Sequence, residues 1–157
     1  MKTLFPKNEL HIPKWYVIDA KNKPLGRLST EISKLLRGKE TSFFTPGVDQ
    51  GNFVVILNAD KIEVTGKKSS NKLYYRNSQR PGSLKIETLT ALKKRIPTRI
   101  LEKSIWGMLP KGVLGRKYFR RLYLYTNDTI CYKNFKTEEK NIPINTKIEE
   151  NWIKINL

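Results

Sequence analysis

Cysteine and histidine are nearly absent from this chain of 157 residues, which contains one of each, Cys131 and His11. A single cysteine cannot form a disulfide within the chain, and it excludes a zinc site made of several cysteines. A single histidine likewise excludes a histidine-rich metal site. We therefore expect no metal site and no cofactor, with an inert Cys131 and an exposed His11. These counts fit a reducing compartment.

Long apolar runs are also missing, and the longest have the length of a strand, as in residues 53–57. None approaches the roughly 20 apolar residues that a membrane-spanning helix needs, and residues 1–6 lack the apolar core of a signal peptide. The glycine-rich signatures of nucleotide-binding loops and the nucleophile signature of α/β-hydrolases do not occur either. The sequence thus predicts neither a membrane contact nor a small-molecule substrate.

One enzymatic alternative has candidate residues, a magnesium-dependent nuclease in which Asp49, Asp60 and Glu63 would bind the metal ion. Carboxylates that face solvent or cap turns are far commoner than such sites, and Asp60 follows an apolar run, where acidic turn residues are expected. We therefore predict that the chain has no catalytic residues and is not an enzyme.

Acidic residues are scarce relative to basic ones, because 31 Lys and Arg face 14 Asp and Glu, which gives a net charge of +17. A charge of this size usually needs a polyanionic partner such as nucleic acid. Residues 61–121 contain 17 Lys and Arg against 3 acids, net +14, whereas residues 1–60 carry +3 and residues 122–157 are neutral. We expect the polyanion to bind the middle segment and the C-terminal end to serve another purpose.

Strand-like and helix-like segments alternate along the chain. Helical spacing of apolar residues predicts helices over 25–37, ended by Gly38, over 88–96, and from Pro97 to about 109. The last helix is expected to bury Ile100, Leu101, Ile105, Met108 and Leu109. Apolar or alternating runs predict strands at 15–18, 53–57, 61–65, 73–75 and 122–125. This order predicts an α/β domain with a largely parallel sheet. Residues 1–13 are expected to form an extended N-terminal arm and residues 127–157 an extended C-terminal extension.

Two basic stretches predict RNA contacts. The first has cations beside Tyr74 and Tyr75: Lys67, Lys68, Lys72, Arg76 and Arg80. Cations suit phosphates and flat rings suit bases, but alternation along a strand allows one of the two tyrosines to be a core residue. The second stretch combines cations with two glycines that allow close backbone approach: Lys111, Gly112, Gly115, Arg116, Lys117, Arg120 and Arg121. It is also compatible with a tight turn between helices. Three cations on and after the first helix complete the predicted RNA-binding set: Arg27, Arg37 and Lys39.

Several sequence blocks resemble the large-subunit ribosomal protein thirteen family of bacterial or organellar type. These blocks are Trp15–Ala20, Leu25–Leu28, Leu36–Lys39, Phe44–Pro46, Val55–Ile62, Thr65–Gly66 and Met108–Arg116. Their order and spacing match over roughly residues 14–126. The resemblance implies a three-layer α/β/α domain around a four-stranded sheet. It also implies direct binding of large-subunit ribosomal RNA, contacts with neighbouring ribosomal proteins, and a part in early subunit assembly and translation.

The same resemblance implies a bacterial-type ribosome, either in the bacterial cytoplasm or in a plastid stroma or other organelle matrix. A free regulatory RNA-binding module that silences a messenger is the alternative that composition leaves open. The neutral C-terminal extension contains Trp152, a type of residue that often anchors protein interfaces. We expect the extension either to dock on a neighbouring ribosomal protein or to pack along its own domain, with Trp152 buried; a disordered end is the alternative.

Overall fold

The computed structural model describes Pro6, residues 12–127 and the backbone of residues 152–155. The predictions for His11, for Cys131, and for most of the N-terminal arm and the C-terminal extension lie outside these residues. The helices are α1 (Leu25–Arg37), α2 (Lys68–Asn71), α3 (Leu89–Arg95), α4 (Thr98–Met108) and α5 (Val113–Arg120). The strands are β1 (Trp15–Asp19), β2 (Phe53–Leu57), β3 (Leu73–Arg76), β4 (Lys85–Thr88), β5 (Leu122–Leu124) and β6 (Trp152–Ile155). Within the described residues, no helix has the length and apolar character needed to cross a membrane.

A parallel sheet lies at the centre of the domain and has the strand order β5-β2-β1-β6. Residues 14–126 supply three of its strands, rather than the four that the resemblance implied for this domain. The fourth, β6, belongs to the C-terminal extension and pairs with β1, with Trp152 opposite Trp15 in the register. The predicted mixed α/β fold with a parallel sheet is confirmed. For the backbone of residues 152–155, the pairing agrees with packing along the chain's own domain.

Side chains on one face of the sheet form the core with the helices. Alternate residues of β1 and β2, such as Ile18 and Ile56, join this core and are fully buried. The helix α1 contributes its apolar stripe, for example Ile32 and Leu36, and α4 contributes residues such as Ile105. Burial of a large aliphatic side chain stabilises a fold by about 1.5–3 kcal/mol. The apolar residues whose periodicity predicted these elements are thus the residues that lie buried in the core.

The other face of the sheet also carries large apolar side chains. Val55 is fully buried although it points away from Val54 and Ile56, its neighbours along β2. On the same face, the rings of Trp15 and Phe53 stack with centroids 4.4 Å apart. A strand with buried residues on both faces shows a continuous apolar run, as β2 does.

The end of α1 follows the prediction, because Gly38 adopts a left-handed conformation with φ of 71°. Its N–H donates to the Leu35 carbonyl, and the Lys39 N–H donates to the Lys34 carbonyl, so the last carbonyls of the helix are satisfied. A Cβ at this position would also collide with the Gln50 carbonyl. Only glycine fits both requirements, which confirms both the helix and its end.

Other local predictions were wrong. Residues 61–65 do not form a strand, and Glu63 makes only an isolated bridge with Pro24. Met108 is 40% exposed rather than buried, because it lines an open surface groove beside α1 instead of packing in the core. The glycine-punctuated segment after Pro110 is mostly the helix α5. The strand predicted at 73–75 is confirmed as β3, but it belongs to a separate antiparallel hairpin with β4. Neither that hairpin nor β6 was predicted.

Arg121 joins the start of β5 to the loop before β2. Its two terminal nitrogens each donate to a carboxylate oxygen of Asp49 at 2.8 Å, and one of them also donates to the Gly51 carbonyl at 2.7 Å. The two charged side chains are only 21% and 15% exposed. A Cβ on Gly51 would collide with Arg121 and Tyr118. This bidentate ion pair therefore lies in a closely packed and largely dry position.

Replacing Arg121 with Met should destabilise the fold, because the Asp49 carboxylate would keep its charge and lose its guanidinium partner. We expect a loss of about 2–4 kcal/mol in the free energy of unfolding, measured by urea denaturation. The matched control is Arg120→Met, since Arg120 is the exposed neighbour, and it should change stability by no more than about 0.5 kcal/mol. Equal effects of the two substitutions would contradict a structural role for Arg121.

Candidate nucleic-acid interface

The first basic stretch spans α2 and the β3-β4 hairpin, and all five of its predicted cations are exposed. The α2 helix follows Gly66, whose φ of 66° turns the chain. It presents Lys67 and Lys68 at its start. Lys72, Arg76 and Arg80 follow along the hairpin. Among the described residues, none of these five cations forms an ion pair, so their charge remains available to an external anion.

The two tyrosines of the hairpin have different environments. Tyr74 packs against the core, with the Lys72 and Lys103 ammonium groups 5.5 and 5.1 Å from its ring centroid. Burial raises the pKa of the Tyr74 hydroxyl. Tyr75 points away and is 60% exposed. The alternative that sequence alone left open is therefore decided for Tyr74, which is the tyrosine on the core side.

A groove of about 690 Å³ lies between the start of α1, the residues before β3 and the end of α4. Lys67, Lys68 and Lys72 line one wall, and Gly26 and Met108 lie on other walls. The N-terminus of α1 has no side-chain cap and no acidic residue in its first turn. The Leu25 N–H already donates to the Glu63 carbonyl at 3.0 Å, but the dipole of the helix still favours an anion at this end. The groove therefore combines three lysines with a helix end that also favours anions, although the acidic residue Glu63 lines it as well.

The second basic stretch consists of α5, the two residues before it and Arg121 after it. Arg116, Lys117 and Arg120 are exposed on one side of the helix, while Gly115 and Tyr118 are buried on the other. Tyr118 donates a hydrogen bond to the Val48 carbonyl at 3.3 Å. Lys111 donates to the Trp106 carbonyl and places its ammonium 5.4 Å from that ring. The helix thus directs three cations outward.

The two glycines of this stretch differ in their surroundings. Gly112 is exposed just before α5, and a Cβ there would meet no atom within 4 Å. Gly115 is buried, and a Cβ there would collide with the Pro110 carbonyl. The close approach that Gly115 permits is therefore to the chain's own backbone. Arg121, which the sequence grouped with the cations of α5, donates to Asp49 and Gly51 instead of pointing outward.

The remaining predicted contacts lie along α1 and just after it. Arg27 is exposed near the start of the helix, and Lys39 is exposed after its end. Arg37 is partly buried, with its guanidinium 5.9 Å from the centre of the Phe44 ring. Arg27 and Arg37 are about 15 Å apart along the helix axis, from the rise per residue. These three cations therefore do not form one cluster.

Two cations near the hairpin were missing from the predicted set. Lys85 is paired with Arg76 across the hairpin, and Lys103 reaches the Tyr74 ring from α4. The alternation of polar and apolar residues over 85–88, after the turn at Pro81 and Gly82, is the signal that predicts β4 and hence Lys85. Lys103 has no such signal, because its proximity to Tyr74 depends on how α4 packs.

The carboxylates that were candidates for a nuclease do not form a metal site in the described part of the chain. No group of three or more His, Cys, Asp or Glu side chains that could hold a metal ion occurs there. Asp49 is committed to Arg121 through both of its oxygens. The features that remain are exposed cations around an uncharged core in an α/β protein, and such a surface suits a polyanionic partner.

Comparison with known proteins identifies the family. The model of the family described as ribosomal protein L13 matches residues 13–130. The large ribosomal subunit protein uL13 of Crocosphaera subtropica is 51% identical over 138 residues, which cover 88% of this chain and 91% of that protein. The uL13 protein of Rippkaea orientalis is 54% identical over 128 residues, covering 82% of this chain and 85% of that protein.

The chain belongs to the ribosomal protein L13 family. It is a structural constituent of the large ribosomal subunit and not an enzyme, as the sequence predicted. The cyanobacterial relatives support a ribosome of the bacterial or plastid type.

The contrast between the two glycines of the second stretch gives a test. Gly112→Val should leave the free energy of unfolding within about 0.5 kcal/mol of wild type, because the new side chain enters open space, but it should weaken RNA binding if the backbone approaches a phosphate there. Gly115→Ala should cost about 1–3 kcal/mol, since its Cβ overlaps the Pro110 carbonyl. Thermal denaturation and filter binding of a ribosomal RNA transcript measure the two effects. A Gly112→Val protein with unchanged affinity would contradict the contact at Gly112.

Proposed function

We propose that this chain binds large-subunit ribosomal RNA directly and supports early assembly of the subunit through three groups of exposed cations. The first group consists of the cations of α2 and the hairpin: Lys67, Lys68, Lys72, Arg76 and Arg80. The second is the outer side of α5 with the residues before it: Lys111, Gly112, Arg116, Lys117 and Arg120. The third lies along α1: Arg27, Arg37 and Lys39. In this proposal Gly115 and Arg121 act by positioning α5 and β5.

The observation that carries this proposal is the groove between α1, α2 and α4. Three lysines that form no ion pair among the described residues line it. Beside them lies the N-terminus of α1, a helix of 13 residues without a side-chain cap. Phosphate groups are the ligands that such an arrangement favours. The family membership supplies the source of those phosphates, because ribosomal RNA is the abundant polyanion of a ribosomal subunit.

Affinity in this proposal comes from phosphate neutralisation, and specificity comes from the shape of folded RNA. The cations project from separate elements, namely α1, α2, the hairpin and α5. Contacts at such spaced positions can be made together only by an RNA with the matching fold. A protein of this kind stabilises one RNA conformation over others, which is the physical meaning of an assembly role.

The four-stranded sheet and a three-layer arrangement belong to the same proposal. Burial of Val17 and Val55 on the sheet face opposite the helical core supports a covering layer on that face. The pairing of β6 with β1 supports four strands. Contact of Trp152 with a neighbouring ribosomal protein remains a prediction, since the side chains of β6 lie outside the described residues.

Sedimentation tests the function. A tagged form of the full chain should sediment almost entirely with large ribosomal subunits in a sucrose gradient, because its affinity is for RNA within that particle. Recovery mainly in the free fractions at the top of the gradient would contradict the proposal and favour a free regulatory module.

Replacing Lys67 and Lys68 together with Ala should weaken binding to a large-subunit ribosomal RNA transcript. Each lost phosphate contact should lower the slope of log affinity against log salt by about 0.7–0.9, so the pair should lower it by about 1.4–1.8. The control is the double variant Lys14→Ala and Lys21→Ala, which removes two exposed lysines outside residues 61–121. It should leave the slope of log affinity against log salt unchanged. Equal changes in the two double variants would show that only total charge matters.

A further inference from the structure

The β3-β4 hairpin has one face that the rest of the domain does not cover. In the antiparallel register Tyr75 lies opposite Ile86, and Leu73 lies opposite Thr88. Leu73, Tyr75 and Ile86 therefore share one face, and Leu84 comes just before β4. These four side chains are 42%, 60%, 53% and 56% exposed, in the order Leu73, Tyr75, Ile86, Leu84. They make up half of the exposed large hydrophobic residues in the described part of the chain.

The opposite face fixes the hairpin to the domain. Tyr74 packs against the core there, and Glu87, its partner across the strands, pairs with Arg95 of α3 at 2.7 Å. The hydrogen bond from Arg95 lowers the pKa of the Glu87 carboxyl. At the base of the hairpin, the Leu89 N–H donates to the Lys72 carbonyl at 3.0 Å. An isolated two-stranded hairpin is marginally stable, and these contacts hold this one in place, so the apolar face is presented as a fixed platform.

Cations flank the platform along the chain. Arg76 follows Tyr75, and Lys85 precedes Ile86, and the two cations lie opposite each other across the strands. Their side chains project from the same face as Tyr74 and Glu87, at the end of the hairpin next to its turn. Both are exposed there. Like charges directly opposite each other repel. The Glu87 carboxylate lies on the same face, and Arg76 contributes to the lowering of its pKa. Its ion pair is with Arg95, so Arg76 and Lys85 keep a net positive charge at this end. This end of the hairpin therefore favours an anion beside it.

We propose that the open face of the hairpin binds an unpaired nucleotide of ribosomal RNA, whose base stacks on Tyr75 between Leu73 and Ile86. The backbone of that RNA strand passes the hairpin edge, where Arg76 and Lys85 neutralise its phosphates. This inference rests on the proposed function and names the RNA element that one part of the interface recognises. Bases within a duplex cannot reach such a platform, because they are already stacked and paired.

Charge is the reason for choosing RNA over a protein as the occupant. An apolar face alone suits either, but a protein partner here would need acidic groups opposite Arg76 and Lys85. A nucleotide supplies a flat base and an adjacent phosphate in one unit. Base stacking on an aromatic ring combined with cations beside it is the usual way in which proteins hold unpaired strands.

The test uses the full chain and a transcript of cyanobacterial large-subunit ribosomal RNA. Tyr75→Ala should weaken binding roughly 5- to 150-fold, the loss expected for one base stacked on an aromatic ring, while Tyr75→Phe should bind as wild type does. The slope of log affinity against log salt should stay the same in Tyr75→Ala, because no phosphate contact is lost. The control is Phe43→Ala, since Phe43 is an aromatic residue 62% exposed outside the hairpin, and its affinity should not change.

Ultraviolet cross-linking adds a readout that does not depend on affinity. A cross-link from Tyr75 to a nucleotide in an unpaired region supports the proposal, and a cross-link only to duplex RNA overturns it. Wild-type affinity in Tyr75→Ala would also overturn it while leaving the proposed function intact. If that variant binds RNA normally but is lost from subunits in a high-salt wash, the face contacts a neighbouring protein and the inference is wrong. Failure of the wild-type chain to bind the transcript would instead remove the proposed function.

Discussion

Charged side chains are costly to bury, and this constraint divides the molecule into a neutral interior and a cationic exterior. Among the described residues, the buried polar side chains are Ser29, Ser33, Gln50, Asn52 and Asn58, none of which carries a charge. The net charge of +17 therefore lies outside the core, with +14 of it in residues 61–121, and it repels itself there. A polyanion relieves that repulsion. The constraint that forms the neutral core therefore also favours a polyanionic partner such as RNA.

The core determines where the cations point. Gly115 lets α5 pack against Pro110, and Tyr118 fills the space beneath it, so that Arg116 and Lys117 face outward. The Arg121–Asp49 ion pair then joins the end of α5 to the loop before β2. In the hairpin, Tyr74 has the same role, because its contact with the core leaves Tyr75 on the open side. In each case a residue packed against the core sets the direction of an exposed one.

The elements that the sequence predicted well are those determined by local pattern. The helix over 25–37 has an apolar stripe and a glycine whose conformation ends it, and β2 is a continuous apolar run. Residues 61–65 alternate like a strand, but Glu63 makes only one bridge, because pairing depends on neighbours far along the chain. The strand β6 was missed for the same reason, since its partner β1 lies more than a hundred residues away.

The candidate site shows the same division. Net charge predicts an interface in residues 61–121 without any knowledge of the fold. Sequence did not distinguish Arg120 from Arg121, because two adjacent arginines look alike until one of them meets a carboxylate such as Asp49. Alternation showed that one of Tyr74 and Tyr75 could face the core, but only the packing of α4 and its Lys103 decided which.

The most direct test of the central claim is the reactivity of individual lysines toward an amine-specific reagent, compared between the free chain and the chain in the large subunit. Mass spectrometry reports the extent of modification at each position. If exposed cations of the middle segment hold the RNA, Lys67, Lys68 and Lys117 should be protected in the subunit, while Lys14 and Lys21 keep their reactivity. Protection of Lys14 and Lys21 with Lys67, Lys68 and Lys117 still reactive would contradict the account.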